Sequence, residues 1–200
     1  PVEVRFRFVT LTGNERSEFL EALGWESCLR DQVQTVAERD TGRGYDRFLE
    51  RVEEPDSELR LLVVEDRNTT GLNGRWDEDS NYAALVRDEL YSSKQDDTAG
   101  GSYGLGKSVL WTFSGASTVL FNSHPIDTPD NVTTPRFIGR TKLPTHELEG
   151  VTYQGAGWLC DLQETDEGPR PQSLWGDEAA ELSDRLNVSR PAVTGTSAMV

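Results

Sequence analysis

Four glycines, a lysine and two serines lie within nine consecutive residues, 100–108, which read GGSYGLGKS. Glycine permits a positive φ, so the backbone amides of such a stretch can turn toward a bound anion. The apolar run at 109–113 predicts a helix directly after the loop, and the N-terminus of a helix adds further N–H donors. This composition is typical of a loop that holds a phosphate group.

The loop fits the P-loop pattern GxxxxGK[ST], with Gly101, Gly106, Lys107 and Ser108 in register. In a P-loop NTPase the loop directly follows a buried strand. A second apolar strand, which ends in an acidic residue as in the Walker B motif, comes later in the chain. Here the preceding residues read KQDDTAG and cannot form a strand, and the candidate acidic strand precedes the loop. The loop by itself therefore indicates a P-loop, whereas its surroundings do not.

The same stretch also satisfies GxxGxG through Gly101, Gly104 and Gly106. Behind a buried strand this pattern would indicate a Rossmann dinucleotide site. The missing strand argues against that interpretation too. An arrangement with an acidic strand upstream of the glycine loop fits the order of the chain better.

The most apolar run of the chain, LRLLVV at 59–64, predicts a central strand that is buried on both faces. Glu65 and Asp66 follow at its end, where a carboxylate is a fixed hydrogen-bond acceptor. Turn-forming residues at 67–74 then lead into a helix predicted near 81–91. The polar, glycine-rich segment 92–103 is predicted to be a mobile lid.

In this order the chain resembles the GHKL, or Bergerat-fold, ATPases, a family that includes DNA gyrase, MutL and MORC proteins, heat-shock chaperones and histidine kinases. Three short boxes carry the resemblance and together span most of the chain: EDRNTTGL at 65–72, GSYGLGK at 101–107 and GTS at 195–197. The Gly-Lys-Ser after the glycines and the long helical insertion before the acidic strand place it nearest the MutL/MORC-like prokaryotic type.

The resemblance implies ATP and Mg²⁺ as cofactors and a role for each matching residue. Asp66 would accept a hydrogen bond from the adenine amino group, and Thr196 would share an ordered water between that carboxylate and the base. Gly71 would let the backbone pass close under the ring, and Lys107 would bring a mobile charge to the terminal phosphate. The loop around the triphosphate comprises Gly101, Ser102, Tyr103, Gly104, Leu105, Gly106, Lys107 and Ser108.

The chain departs from the family pattern in two boxes. In the box that reads DxGxG in the family, Asn68 replaces the first glycine and an extra residue precedes Gly71. Asparagine tolerates left-handed geometry, so the turn can form. The other box, a general-base Glu with a magnesium-binding Asn four residues later, is missing from the N-terminal helices. We expect that helix upstream of Pro1, and we assign no catalytic residue or metal ligand within residues 1–200.

The predicted elements give an α/β fold, a two-layer α/β sandwich with a mixed sheet and helices mainly on one face, as in the Bergerat fold. Residues 1–200 are interpreted as a single nucleotide-binding domain, truncated at its N-terminal helix. In the first strand Val2, Val4, Phe6 and Phe8 alternate with charged residues, which predicts one buried face. The other predicted elements are helices over 15–23 (capped by Asn14), 27–39, 45–53 and 178–187 (capped by Asp177) and strands over 117–121, 136–142, 155–162 and 192–200.

Thirty-five acidic and twenty basic side chains give a net charge of -15, which argues against a broad face for nucleic acid. Arg136, Arg140 and Lys142 line one side of a predicted strand, which we interpret as a solvated strand face. His124 and His146 lie among turn residues with no second ligand at metal spacing. Both histidines are therefore predicted to be solvated.

The chain has no secretory segment and no 18-residue apolar run, and its two cysteines lack CxxC spacing, which predicts a cytoplasmic protein. The leading hypothesis is ATP binding, with hydrolysis completed by upstream residues and used to drive a conformational or dimerisation cycle. The resemblance implies a homodimer and DNA-processing or phage-defence proteins as partners. The alternatives are a nucleotide-free scaffold with a degenerate pocket and a P-loop NTPase.

Overall fold

An antiparallel sheet is the frame of the molecule, which a computed structural model describes over residues 1–40, 42–88 and 105–200. The strands are β1 (Glu3–Leu11), β2 (Leu59–Arg67), β3 (Thr118–His124), β4 (Arg136–Lys142), β5 (His146–Leu148), β6 (Val151–Tyr153), β7 (Ala156–Leu159), β8 (Asp161–Thr165), β9 (Gly168–Gln172), β10 (Leu174–Trp175) and β11 (Gly195–Met199). The helices are α1 (Gly13–Leu23), α2 (Arg30–Ala37), α3 (Tyr45–Glu53), α4 (Leu105–Phe113) and α5 (Gly176–Arg185).

Within the described ranges the main sheet has the order β1-β2-β11-β3-β4-β10, and β7 pairs with the other half of β4. Two hairpins, β5 with β6 and β8 with β9, stand outside it. The α/β class with a helical layer on a sheet is confirmed. The strand pairs described here are antiparallel, which corrects the expected mixed sheet. Because neighbouring strands such as β3 and β4 run in opposite directions, they need no βαβ crossover.

The larger hydrophobic core lies between the sheet and one layer of helices. α1, α2 and α3 follow β1, α5 precedes β11, and all four place apolar side chains against the same sheet face. The largest contributions come from Leu11, Phe19, Trp25, Val33, Val36, Tyr45, Leu61, Val63, Leu120, Phe137, Leu186 and Met199. The burial of alternate strand residues follows from the two-residue period of a strand.

A second, smaller core lies on the opposite sheet face. It is built by α4, by the segment between β2 and residue 88, and by the intervening side chains of the strands. Its buried members are Leu72, Tyr82, Val86, Trp111, Val119, Phe121, Ile138 and Ala198. The helices are thus mainly on one face, as predicted, while α4 covers part of the other.

Several element ends differ from the predictions. The N-cap of α1 is Thr12 and not Asn14, because Gly13 already begins the helix. The N-cap of α5 is Trp175, and Asp177 lies in its first turn. The helix predicted over 27–39 begins with a π-helical turn, Trp25–Leu29, and the one predicted near 81–91 is described up to residue 88 with a π-helical turn, Ala83–Arg87.

The burial of β1 is opposite to the prediction. Phe6 is 65% exposed and Phe8 is 80% exposed, whereas Leu11 on the other face belongs to the larger core. The apolar alternation therefore marks the uncovered face of this edge strand, and the helices pack against the face that also carries the charged residues. β2 is likewise buried on one face only, since Leu62 and Val64 on its other face are half-buried.

Candidate functional site

The sheet order brings Asp66 and Thr196 together from opposite ends of the sequence. β2 and β11 are neighbours, and Ser197 is the cross-strand partner of Glu65. The backbone N–H of Thr196 donates to Asp66 Oδ1 at 2.7 Å, and the Thr69 hydroxyl donates to the same oxygen at 2.6 Å. Within the described ranges no donor reaches the other carboxylate oxygen, Oδ2. Asp66 is thus an oriented, half-buried acceptor with one oxygen left for a further donor.

Gly71 holds the loop after β2 against the end of β3. Its φ is +67°, and a Cβ there would lie 2.8 Å from the Cα of Pro125 and 2.9 Å from the carbonyl oxygen of His124. The next residue, Leu72, donates its backbone N–H to Ser123 Oγ at 2.9 Å. The left-handed backbone and the lack of space each require glycine.

Ser123 links the three segments of the site, although no pattern in the sequence indicated it. Its buried hydroxyl donates to the Gly195 carbonyl at 2.8 Å and accepts the Leu72 N–H. A serine hydroxyl carries a single hydrogen, so in the 3.2 Å contact with Thr196 Oγ1 the threonine must be the donor. The Thr196 oxygen keeps its lone pairs, which can accept a hydrogen bond from water.

Arg190 stabilises the backbone at Asp66. Its guanidinium donates to the main-chain oxygen of Asp66 at 2.7 Å. Burial lowers the pKa of Arg190, and the carboxylates of Glu65 and Asp66 oppose this change. Burial, assisted by Arg190, also lowers the pKa of His124, so the imidazole favours its neutral form. A Cβ at Gly195 would overlap the Asp66 carbonyl oxygen, so this position also requires glycine.

Asn68 shapes the turn beside the carboxylate. Its φ is 59°, which is the left-handed geometry that asparagine tolerates. Its side-chain amide donates to the Pro1 carbonyl at 2.9 Å, and its backbone N–H donates to the Thr194 carbonyl at 2.8 Å. Asn68 therefore connects the turn after Asp66 both to the N-terminal residue and to the segment that precedes β11.

The glycine loop falls largely outside the described residues. Gly101, Ser102, Tyr103 and Gly104 lie outside them, as do the predicted lid at 92–103 and the side chain of Leu105, whereas the backbone of Gly106 is described as part of α4. The predicted helix after the loop is confirmed as α4, which begins at Leu105 and carries an exposed Ser108 in its first turn.

Lys107 ties the start of α4 to the segment that follows the Asp66 loop. Its ammonium donates to the Asp88 carbonyl at 2.6 Å and to the Ala84 carbonyl. These carbonyls belong to the π-helical turn Ala83–Arg87 and to its C-cap, Asp88. A cation is favoured there because the last C=O groups of a helical turn lack helical partners. A terminal phosphate bound nearby would compete with them for the same ammonium group.

The three cations of β4 do not form the solvated strand face that was predicted. Arg136 and Arg140 are each only 4% exposed, because the sheet face that they occupy is covered by the second core. Arg140 donates to the carbonyls of Val86 and Arg87, the latter at 2.6 Å. The Lys142 ammonium lies 3.9 Å from the centre of the Trp111 ring. These cations hold the end of the π-helical turn and α4 against the sheet.

Arg136 fastens the loop that begins at Asp66. Its guanidinium donates to the carbonyls of Leu72 and Gly74, both at 2.8 Å, and to Ser173 Oγ at 2.8 Å. It also lies 3.4 Å from the centre of the Tyr82 ring. Burial lowers the pKa of Arg136 to about 10, so the side chain is still a cation at neutral pH.

Replacing Arg136 with lysine should lower the free energy of unfolding by about 2–4 kcal/mol. An ammonium group cannot reach all three oxygens or stack flat on Tyr82, so buried acceptors lose their donors. Urea unfolding followed by circular dichroism measures the change. Arg60→Lys, at an exposed position, is the matched control, and an equal loss in both variants would contradict the assigned role of Arg136.

His146 is a buried residue and not the solvated one that was predicted. It is 3% exposed, and its Nδ1 lies 2.8 Å from the Pro144 carbonyl oxygen. Nε2 contacts the Gln32 side-chain oxygen, and the ring stacks on Tyr153 at a centroid distance of 5.6 Å. The helix that supplies Gln32 was not expected to reach this turn, so the sequence pattern had no means of showing the burial.

The described residues contain no group of three His, Cys, Asp or Glu side chains that could hold a metal ion. No helix in the described part of the chain is long and apolar enough to cross a membrane. Comparisons of the chain with protein-family models, curated proteins and solved structures give no match.

Proposed function

We propose that this chain is the ATP-binding domain of a GHKL-type ATPase, with the adenine bound where β2 ends and β11 begins. The observation that carries the proposal is the Asp66 carboxylate, which Thr196 N–H orients at 2.7 Å and which keeps one oxygen for a ligand. The order of the elements supports it, since the acidic strand precedes the glycine loop and the Gly-Thr strand lies beside it in the sheet.

If the 6-position of the purine faces Asp66, this acceptor favours adenine over guanine. The exocyclic amino group of adenine donates a hydrogen bond, and a carboxylate only accepts. Guanine presents a carbonyl oxygen at the corresponding position, which would face the Asp66 carboxylate without a proton between them. The Thr196 hydroxyl, which donates to Ser123, can accept from a water between the two.

The phosphate end of the proposed site is assigned to the glycine loop and the start of α4. Residues 101–104 would supply backbone N–H groups, and Lys107 would supply the positive charge. The residues directly before the loop read KQDDTAG, a composition that does not favour a strand. This arrangement favours the GHKL interpretation over a P-loop NTPase, in which a strand leads directly into the loop.

Hydrolysis needs a general base and metal ligands in addition to the binding residues. The described residues supply no metal cluster, and we assign no catalytic base among them. The proposal for residues 1–200 is therefore nucleotide binding. The cycle of conformation or dimerisation that hydrolysis would drive belongs to the same proposal.

Calorimetric titration with a non-hydrolysable ATP analogue tests the proposal. We expect saturable, micromolar binding that is weaker for the GTP analogue, because the 6-position of adenine offers Asp66 a donor and that of guanine an acceptor. A chain that binds neither analogue would overturn the proposal and leave the nucleotide-free scaffold. Loss of binding in Lys107→Ala, with adenine preference unchanged in Asp66→Asn, would instead establish the P-loop alternative.

A further inference from the structure

Six large apolar side chains are exposed on one side of the molecule, four of them in or directly before β1 and two on α4. We name this region the β1–α4 surface. Its members and their exposed fractions are Val2 (62%), Val4 (56%), Phe6 (65%), Phe8 (80%), Val109 (49%) and Phe113 (73%).

The strand part and the helix part of the β1–α4 surface are continuous. Phe6 and Phe8 are cross-strand partners of Val64 and Leu62, so all four side chains share one sheet face. Phe8, Leu62 and Phe113 also line one cavity of about 840 Å³. Val109 precedes Phe113 by one helical turn and therefore lies on the same side of α4.

The β1–α4 surface is large enough for a protein interface. Three phenylalanines of roughly 200 Å² and three valines of roughly 150 Å², weighted by their exposed fractions, give about 700 Å² of apolar surface. The largest apolar patch of a typical monomer is about 300–600 Å², and a stable interface buries about 800 Å² on each partner. The area thus corresponds to one side of a protein–protein contact.

We propose that two copies of this chain associate through the β1–α4 surface, with α4 of each copy packed on β1 of the other. The surface is complementary to itself, because it combines a bare strand face with the apolar edge of a helix. A two-fold axis places the helix of each copy on the strand of its partner, so both contacts form at once. Within one chain α4 already covers the neighbouring strands in this way, through Trp111, Val119 and Phe121.

The local charges near β1 are compatible with this contact, whereas the net charge of the two copies opposes it at long range. The charged residues of β1 lie on the opposite face of the strand, where Arg5 pairs with Glu3 at 3.2 Å. Each copy nevertheless carries a net charge of -15, so two copies repel each other. Salt screens that repulsion without weakening an apolar contact, so we expect the dimer to strengthen as the salt concentration rises.

Analytical ultracentrifugation without nucleotide tests the proposal independently of ATP binding. We expect a monomer–dimer equilibrium in the unmodified chain. Phe8→Ser and Phe113→Ser should each raise its dissociation constant at least about tenfold, because each substitution removes two symmetry-related contacts. Both residues are exposed, so the fold should be retained. Leu162→Ser, at a position 59% exposed outside the surface, is the matched control and should leave the constant unchanged.

Mixing the two variants tests which side chains meet. A heterodimer of Phe8→Ser with Phe113→Ser keeps one intact pair of Phe8 and Phe113, so the mixture should dimerise more tightly than either variant alone. A mixture no tighter than its components would overturn the proposed pairing. An unmodified chain that stays monomeric at high micromolar concentration and high salt would overturn the association itself and leave the surface to a different polypeptide.

Discussion

Alanine in place of Gly71 should lower the free energy of unfolding by about 3 kcal/mol. Part of the loss is the left-handed backbone, since φ is +67° at this position. The remainder is steric, because the new methyl group would lie 2.9 Å from the Ser123 hydroxyl and 2.8 Å from the Cα of Pro125. The loop can relieve the overlap only by moving away from β3, which breaks the hydrogen bond from Leu72 to Ser123.

Gly150→Ala separates the two causes. Gly150 has a similar φ of +78°, but a Cβ there would meet nothing within 4 Å. We expect this control to lose only about 1 kcal/mol, the backbone part of the effect. Urea unfolding of both variants measures the difference, and equal losses would show that the contact of Gly71 with β3 is not tight.

Replacing Asp66 with asparagine should weaken binding of an ATP analogue by about 10- to 100-fold, the value of a hydrogen bond to a charged acceptor. The asparagine oxygen can still accept from Thr196, so the fold should change little. The amide nitrogen would then point a donor at the adenine amino group, which is itself a donor. Titration calorimetry gives the ratio of affinities, and the melting temperature checks the fold.

Inosine triphosphate distinguishes a lost base contact from general damage to the site. Its base carries a carbonyl in place of the amino group, so the unmodified chain should bind it more weakly than ATP. In Asp66→Asn the difference should shrink or reverse, because an amide N–H can donate to that carbonyl. Asp56→Asn, at an exposed position, is the control. An unchanged preference for adenine in Asp66→Asn would remove Asp66 from the proposed base contact.

The local patterns of the sequence were sufficient for the class of fold and for most elements. The helix over 45–53 and the strand over 136–142 are confirmed to the residue as α3 and β4. Turn chemistry also identified Asn68 as a position that tolerates the left-handed region, where it is found. These features depend on neighbouring residues along the chain, so propensity and periodicity can report them. The GHKL resemblance and its nucleotide site stay predictions.

Tertiary contacts decided the burial of charged and aromatic side chains. Arg136 occupies an alternate strand position with other cations, a pattern that predicted a solvated face. It is buried because the loop after Asp66 folds over β4 and presents carbonyl oxygens to its guanidinium. In β1 the apolar alternation is real, but the face that it marks is exposed, because helices cover the other one. The period of a strand shows that its two faces differ, not which of them a distant segment will cover.

The sequence by itself therefore determined the sheet-and-helix frame and the chemical character of its candidate residues. The resemblance to the GHKL family implied that Asp66 and Thr196 belong to one site. Only the tertiary structure decided how that carboxylate is oriented, since the Thr196 N–H, the Ser123 hydroxyl and the Arg190 guanidinium come from strands and loops far apart in the chain. Hydrogen bonds between distant segments leave no periodic trace in a sequence, because their donors and acceptors occur on nearly every polar residue and on the backbone of the whole chain.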